Sequence, residues 1–279
     1  MGRRPIFGLL ILLIAASCAE RSPTPPRRPS RPPARVVSIN PCIDAILMHV
    51  ADPGQIAGIS HYSQDPQSTS IPLAQAARFT ATSGTAEEVV ALAPDLVLAG
   101  AHVDPATIAA LRRLNIALVQ LPVPETIADS HDQIRRIAAA VGHADRGVRL
   151  NARIDAAVAA ARSPAPAVPA LIWQGGGLVP GERTLASELL GTTGFRNLSR
   201  DYGLRQWDVI PLEILVARAP KVLFSVGGAA TSDRMLSHPV LRPLAQHIAV
   251  RAYPERLLHC GGPTIIDAVT ELAKARRSL

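Results

Sequence analysis

Short runs of β-branched and aliphatic residues alternate with helix-length segments along most of this chain, and that alternation restricts its fold more than any other feature. Arg35–Ile39 reads as a strand broken by Asn40-Pro41, and a helix follows over Ile43–Val50. Gln55–Ile59 is a second strand, followed by a polar loop from Ser60 to Ser70. Thr85 caps a helix that carries Glu87 and Glu88 in its first turn and runs to Leu92, because a hydroxyl and acids satisfy the free N–H groups there. Leu96–Leu98 is a buried strand, Pro105 begins the next helix, and Ala117–Leu121 is another strand. Alternation of this kind indicates a parallel sheet with crossover helices.

The pattern then changes. Glu125–Ala140 is helical and, after Gly142, Ala144–Arg162 is a second, alanine- and arginine-rich helix, about 28 Å long at 1.5 Å per residue. The stretch 163–169 carries three prolines, and a strand–helix pattern restarts at Ala170–Gln174. Helices are expected over Leu185–Leu190, Pro211–Ala217, Met235–Leu244 and Thr264–Arg277, with strands over Val222–Ser225 and near Ile248–Tyr253. The fold class is therefore α/β, with an N-terminal lobe over 36–143, a single long bridging helix over 144–162 and a C-terminal lobe over 163–279.

The residues before position 36 are of another kind. Arg3 and Arg4 precede an apolar run, Ile6–Ala16, that is too short to span a bilayer and ends in small residues. That is the layout of a secretory signal over 1–17. Ala15-Ala16-Ser17-Cys18 resembles a bacterial lipobox, which makes Cys18 the expected lipidation site. The alternative is simple cleavage after Ser17 or Ala19. Six prolines and several arginines between 18 and 35 give a semi-rigid tether. This segmentation decides what the charge means. The chain carries +7, with a pI near 10.1, which by itself suggests nucleic acid or an anionic membrane. Seven arginines and one glutamate lie in 1–35, leaving 22 basic and 21 acidic residues in 36–279. A globular part at +1 with nine aromatics in the whole chain offers no nucleic-acid surface.

Three groups of residues carry a family resemblance. Arg35-Val-Val-Ser-Ile-Asn-Pro, Gln55-Ile-Ala-Gly-Ile-Ser and Glu88-Val-Val-Ala-Leu-Ala-Pro-Asp-Leu-Val-Leu-Ala resemble the N-terminal lobe of class III periplasmic substrate-binding proteins. Thr184-Leu-Ala-Ser-Glu-Leu-Leu-Gly, Gly194-Phe-Arg-Asn and Pro211-Leu-Glu-Ile-Leu-Val-Ala-Arg-Ala-Pro resemble their C-terminal lobe. These proteins serve ABC importers of cobalamin, haem and ferric siderophores. The resemblance implies two Rossmann-like lobes with the ligand cleft between them, and small closure about the helical bridge. It implies a permease dimer with its ATPase subunits as partner, met through Glu87 and Glu213, one per lobe. It implies no catalytic residue and no cofactor of the protein's own; the ligand is a metal chelate. The cobalamin-binding member has a tyrosine and a tryptophan matching Tyr62 and Trp207, which makes cobalamin or a related corrinoid the first expectation. The loop Thr80–Gly84 lacks that member's aromatic. Haem and a ferric siderophore stay open, as do a tethered sensor domain and an enzyme, although no G-x-S-x-G or H-E-x-x-H is present.

Ligands in open α/β lobes meet the loops at the carboxyl ends of strands. Those loops hold Cys42, His61, Tyr62, Trp207, His259 and Cys260, the expected ligand-binding set, whereas Trp173 is expected in the core. Cys42 and Cys260 fall in different lobes. A disulfide needs Cα atoms within about 7 Å and would lock the cleft, so two separate cysteines are expected. The histidines and cysteines show no close-spaced pair, so no metal site of the protein's own is expected. Contact between a histidine or thiol and the metal of a bound chelate stays open.

Overall fold

A computed structural model of the chain describes residue 2 and residues 32–226 and 247–279. Cys18, the signal and most of the tether lie outside the described residues, as does the helix expected over Met235–Leu244. One compact unit, Arg31–Leu279, contains every element named below.

In chain order the first lobe contains β1 (Val36–Ser38), α1 (Pro41–Val50), β2 (Ile56–Ser60), α2 (Leu73–Ala76), β3 (Ala81–Thr82) and α3 (Ala86–Ala91). It continues through β4 (Leu96–Gly100), α4 (Pro105–Arg113), β5 (Ala117–Leu121) and α5 (Ile127–Ala140). Its strands form a five-stranded parallel sheet in the order β3-β2-β1-β4-β5. The helix α6 (Ala144–Ala161) leads to the second lobe. There β6 (Val168–Trp173), β7 (Leu178–Val179), α7 (Leu185–Thr192), β8 (Phe195–Asn197), β9 (Asp208–Val209) and α8 (Leu212–Ala217) precede β10 (Val222–Val226), β11 (Ala249–Tyr253) and α9 (Thr264–Arg277). The second sheet is also parallel, ordered β11-β10-β6-β8, and β7 pairs with β9 antiparallel. The α/β class and the two-lobed organisation are as the sequence indicated.

Burial explains why these segments become strands. Every residue of β1, β4 and β10 is buried, as expected of parallel strands covered on both faces. Caps fix the helix starts. Asn40 accepts from the N–H groups of Cys42 and Ile43, with Pro41 in the first turn. Thr126 and Asp129 form a reciprocal capping box that starts α5 two residues later than its sequence start at Glu125.

The joint between the lobes is packed. α6 buries Gly147, Leu150, Ile154 and Ala161 on one stripe and lies against α1 and α5 of the first lobe and α9 of the second. One continuous apolar cluster runs from Val36 and Leu98 through Leu150 and Ile154 to Phe224 and Leu272. At the start of the described chain, Asp95 accepts from the N–H groups of Ala34 and Arg35 at 2.9 and 3.0 Å. The Arg35 guanidinium donates to Leu92 and Ala93 carbonyls, so the last tether residues are tied to the first lobe.

Candidate functional site: a cleft between two lobes

A cavity of about 490 Å³ opens where loops from the two lobes face each other. The first lobe supplies Ala101 and His102 beyond β4 and Val123–Glu125 beyond β5. The second supplies the start of α7, Gln206, Trp207, Leu258 and His259. That is the expected place for ligand in parallel α/β lobes, and the volume lies within the range of small-molecule sites.

Trp207 and His259 form one wall, with ring centroids 5.7 Å apart and planes inclined at 36°. Trp207 is half-buried and packs against the main core. His259 has an edge open to solvent, yet loss of water contact lowers its pKa below the ordinary histidine range, with Glu255 acting the other way. The Gln174 amide nitrogen lies 3.2 Å from His259 Nε2 and donates to Glu255 at 3.2 Å. Burial thus favours the neutral imidazole, whose Nε2 faces the Gln174 amide.

A glycine places the wall. A Cβ on Gly181 would stand 2.2 Å from the Gln206 carbonyl oxygen. Only glycine lets this segment lie against 204–206, where the N–H groups of Glu182 and Arg183 donate to Leu204 and Arg205. Arg183 and Gln206 are thereby set side by side. Both reach across the cleft to Glu125, at 3.1 Å for the Arg183 ion pair and 3.0 Å for the Gln206 amide. Nearby, Glu188 of the second lobe accepts from the Ile127 N–H at 2.7 Å. None of these bridging residues was anticipated. They are far apart in sequence and follow no metal or catalytic spacing; the only advance signal was Arg183 and Glu188 flanking the Thr184 cap.

One sequence expectation is overturned here. Cys42 and Cys260 form a disulfide, with Cα atoms 5.0 Å apart across a sequence separation of 218. The segment 259–262 that leads into α9 lies against the start of α1, so residues of opposite lobes come within bridging distance, and the cavity persists beside the bond. Neither sulfur is then a free thiol for ligand or metal. Gly262, just beyond Cys260, has φ +66°, and a Cβ there would lie 2.7 Å from Ile46. Its N–H donates to Ser130 of the first lobe at 2.7 Å, in a buried bond.

The remaining expected residues are distributed as follows. His61 and Tyr62 sit on the turn after β2 with rings 4.0 Å apart, both exposed, and neither lines the cavity. Their turn is anchored from beneath by Asp44, which accepts from the Ser60 N–H at 3.0 Å and the Ser63 hydroxyl at 2.6 Å. Asp44 is wholly buried, and burial pushes its carboxyl up to about 7 against the opposing hydrogen bonds from Ser38, Ser63 and Ser60. Trp173 is fully buried, as expected. Glu87 and Glu213 are exposed in the first turns of α3 and α8. Among the described residues, no group of three His, Cys, Asp or Glu side chains could hold a metal ion.

Comparison with known proteins places this architecture. The chain is similar to the "Cobalamin-binding protein" of two Halobacterium salinarum strains, 25% identical over 215 residues, covering 73% of this chain and 56% of theirs. It thus spans a little over half the length of those curated relatives. Among solved structures it resembles a periplasmic heme-binding protein from a Roseiflexus species in apo form, with TM-score 0.72, 24% identity and coverage of 88% of this chain and 98% of that one. It also resembles the periplasmic vitamin B12 binding protein of Vibrio cholerae, with TM-score 0.71, 18% identity and the same coverages. Residues 36–253, which include both sheets and most of the cavity wall, match the family described as "Periplasmic binding protein". Two parallel lobes, one joining helix and a cleft between them are therefore the form this sequence gives to that family, and the chain belongs to the periplasmic binding proteins.

Proposed function

We propose that this chain is the substrate-binding component of an ABC importer, capturing a planar metal chelate and handing it to a permease. The observation that carries this reading is the cavity of about 490 Å³ shared by both lobes and walled by the Trp207–His259 pair. Flat amphipathic rings suit the faces and edges of a macrocycle. Cobalamin or a related corrinoid is the first reading, supported by the similarity to the cobalamin-binding relatives. In that reading the ring occupies the cavity and the bulk of the ligand extends through the mouth. Haem is the second, favoured by the position of the His259 side chain on the cavity wall, imidazole being a ligand of the kind haem iron accepts. A ferric siderophore has less support: Arg183, the cavity's arginine, is already paired with Glu125.

The same reading assigns the remaining roles. Glu87 and Glu213, exposed and one per lobe, are the docking carboxylates for arginines of a two-fold permease. His61 and Tyr62 stand outside the cavity lining and meet the part of a large ligand that projects from it. Cys18 is the lipid attachment and the prolines after it are the tether, which puts the protein in the periplasm at a membrane surface. The chain binds and delivers without catalysing a reaction, and ATP hydrolysis belongs to the importer's other subunits.

The test is titration of the full-length chain with cyanocobalamin, haemin and a ferric hydroxamate, followed by absorbance and calorimetry. Saturable one-to-one binding of cyanocobalamin is expected, and haemin binding with no corrinoid response selects the second reading. Binding of none of the three overturns the assignment. Charge reversal at Glu87 and Glu213 together should abolish uptake and leave affinity intact.

A further inference from the structure

The disulfide is placed where it can do more than add stability. Cys42 lies in the first turn of α1, in the first lobe, and Cys260 follows His259 directly, in the second. The residue that forms the cavity wall with Trp207 is thus one peptide unit from a covalent bond to the opposite lobe. The same short segment is held again by the Gly262–Ser130 hydrogen bond, and Gly262 itself leaves no room for a side chain against Ile46. Cys260 and Ser130 are 5% and 0% exposed, and Cys42 is partly buried, so most of this seam is removed from water. α6 makes a second attachment between the lobes through its packing on α1, α5 and α9.

Two attachments constrain relative motion far more than one helix does. A single bridge lets two rigid bodies rock about it, whereas a crosslink away from the bridge removes most of that freedom. The other interlobe bonds are of a weaker kind. Arg183 and Gln206 are exposed and Glu125 is half-buried, and an ion pair this open to water contributes little.

We infer that the Cys42–Cys260 disulfide is a positioning element of the binding site: it fixes the spacing of the lobes beside His259 before ligand arrives, and leaves the polar contacts at the cleft mouth, Glu125 with Arg183 and Gln206 and Glu188 with the Ile127 N–H, to open for entry and release. The ligand's identity rests on the binding-protein reading above, but the fixed spacing does not. A site held in its bound shape captures ligand without first ordering itself, and that lowers the cost of association. Without the bond, part of the population has its lobes apart and the apparent affinity falls by the fraction that remains competent.

The experiment compares the full-length chain oxidised, the same chain reduced by a phosphine, and the Cys42→Ser/Cys260→Ser variant. Peptide mapping under non-reducing conditions should join Cys42 to Cys260. Small-angle scattering should show a larger radius of gyration for the reduced and variant forms, contracting when haemin is added, and an unchanged radius for the oxidised form. Stopped-flow capture of haemin should slow by about tenfold on reduction. A different pairing, or equal radii with capture rates within about threefold, overturns the inference. If haemin binds to no form, the proposed ligand fails separately, and the radii of the unliganded forms still decide the spacing. Reducing the folded wild-type chain keeps the test valid if the variant does not fold.

Discussion

The two lobes meet at a buried seam and at an exposed bridge, and these are built from different materials. The seam joins Cys42 to Cys260 and Ser130 to Gly262, with Cys260, Ser130 and Gly262 buried, Cys42 partly so, and a left-handed glycine whose Cβ would press on Ile46. The bridge joins Glu125 to Arg183 and Gln206, with the glutamate and arginine side chains 38% and 60% exposed. Covalent bonds and close packing hold a distance under all conditions. Exposed charge pairs are screened and exchange with water. A binding protein needs both properties, a fixed site and a way in, and this molecule assigns them to different residues.

Substitutions on the two sides should therefore differ in size. Reducing the disulfide should cost most, about 5 kcal/mol of unfolding free energy on the chain-entropy account of a loop this long; urea denaturation with and without reductant measures it. Gly262→Ala should cost about 3 kcal/mol, combining a left-handed backbone position with the approach to Ile46, read as a shift of the denaturation midpoint.

Asp44 lies two residues along α1 from Cys42 and makes the seam side pH-dependent. Its folded pKa is raised to about 7 by burial, so the folded state holds the proton more tightly than the unfolded one. The stabilisation from that proton is full below the unfolded value of about 4, is lost as pH rises through about 7, and does not change further above it. Wild type should lose on the order of 3 kcal/mol relative to Asp44→Asn between pH 4 and 8, seen as denaturation midpoints that lie close at pH 4 and diverge by pH 8. Equal pH dependence in the two proteins would remove Asp44 from the account. The smallest effect belongs to the bridge. Glu125→Gln should change stability by less than about 1 kcal/mol while speeding ligand release, a combination that no seam substitution should reproduce.

Most of the fold was legible in the sequence because parallel strands buried on both faces are uninterrupted apolar runs. Leu96–Leu98 and Val222–Ser225 could be read directly, whereas β3, β7 and β9, two residues each, are too short to leave a pattern. The site was legible only in part. Trp207 and His259 were found because a rare aromatic and a histidine in cleft loops stand out. Glu125 and Arg183 were not, because an ion pair between exposed residues 58 apart leaves no local mark. The disulfide was misjudged for a related reason. Separation along the chain and membership of different lobes say nothing about a loop that folds back onto the start of α1, and the one clue was Gly261-Gly262 after Cys260, where Ser130, Pro124 and Ile46 of the first lobe approach closely.

The most direct test of the account is quenching of tryptophan fluorescence during titration with haemin and with cyanocobalamin, in wild type and in Trp207→Phe. Trp207 lines the cavity and Trp173, the other tryptophan, ends β6 and is fully buried. A ligand held between the lobes should quench wild type strongly, lose most of that signal in Trp207→Phe and bind the variant several-fold more weakly. Undiminished quenching and unchanged affinity in Trp207→Phe would place the ligand elsewhere and contradict the account.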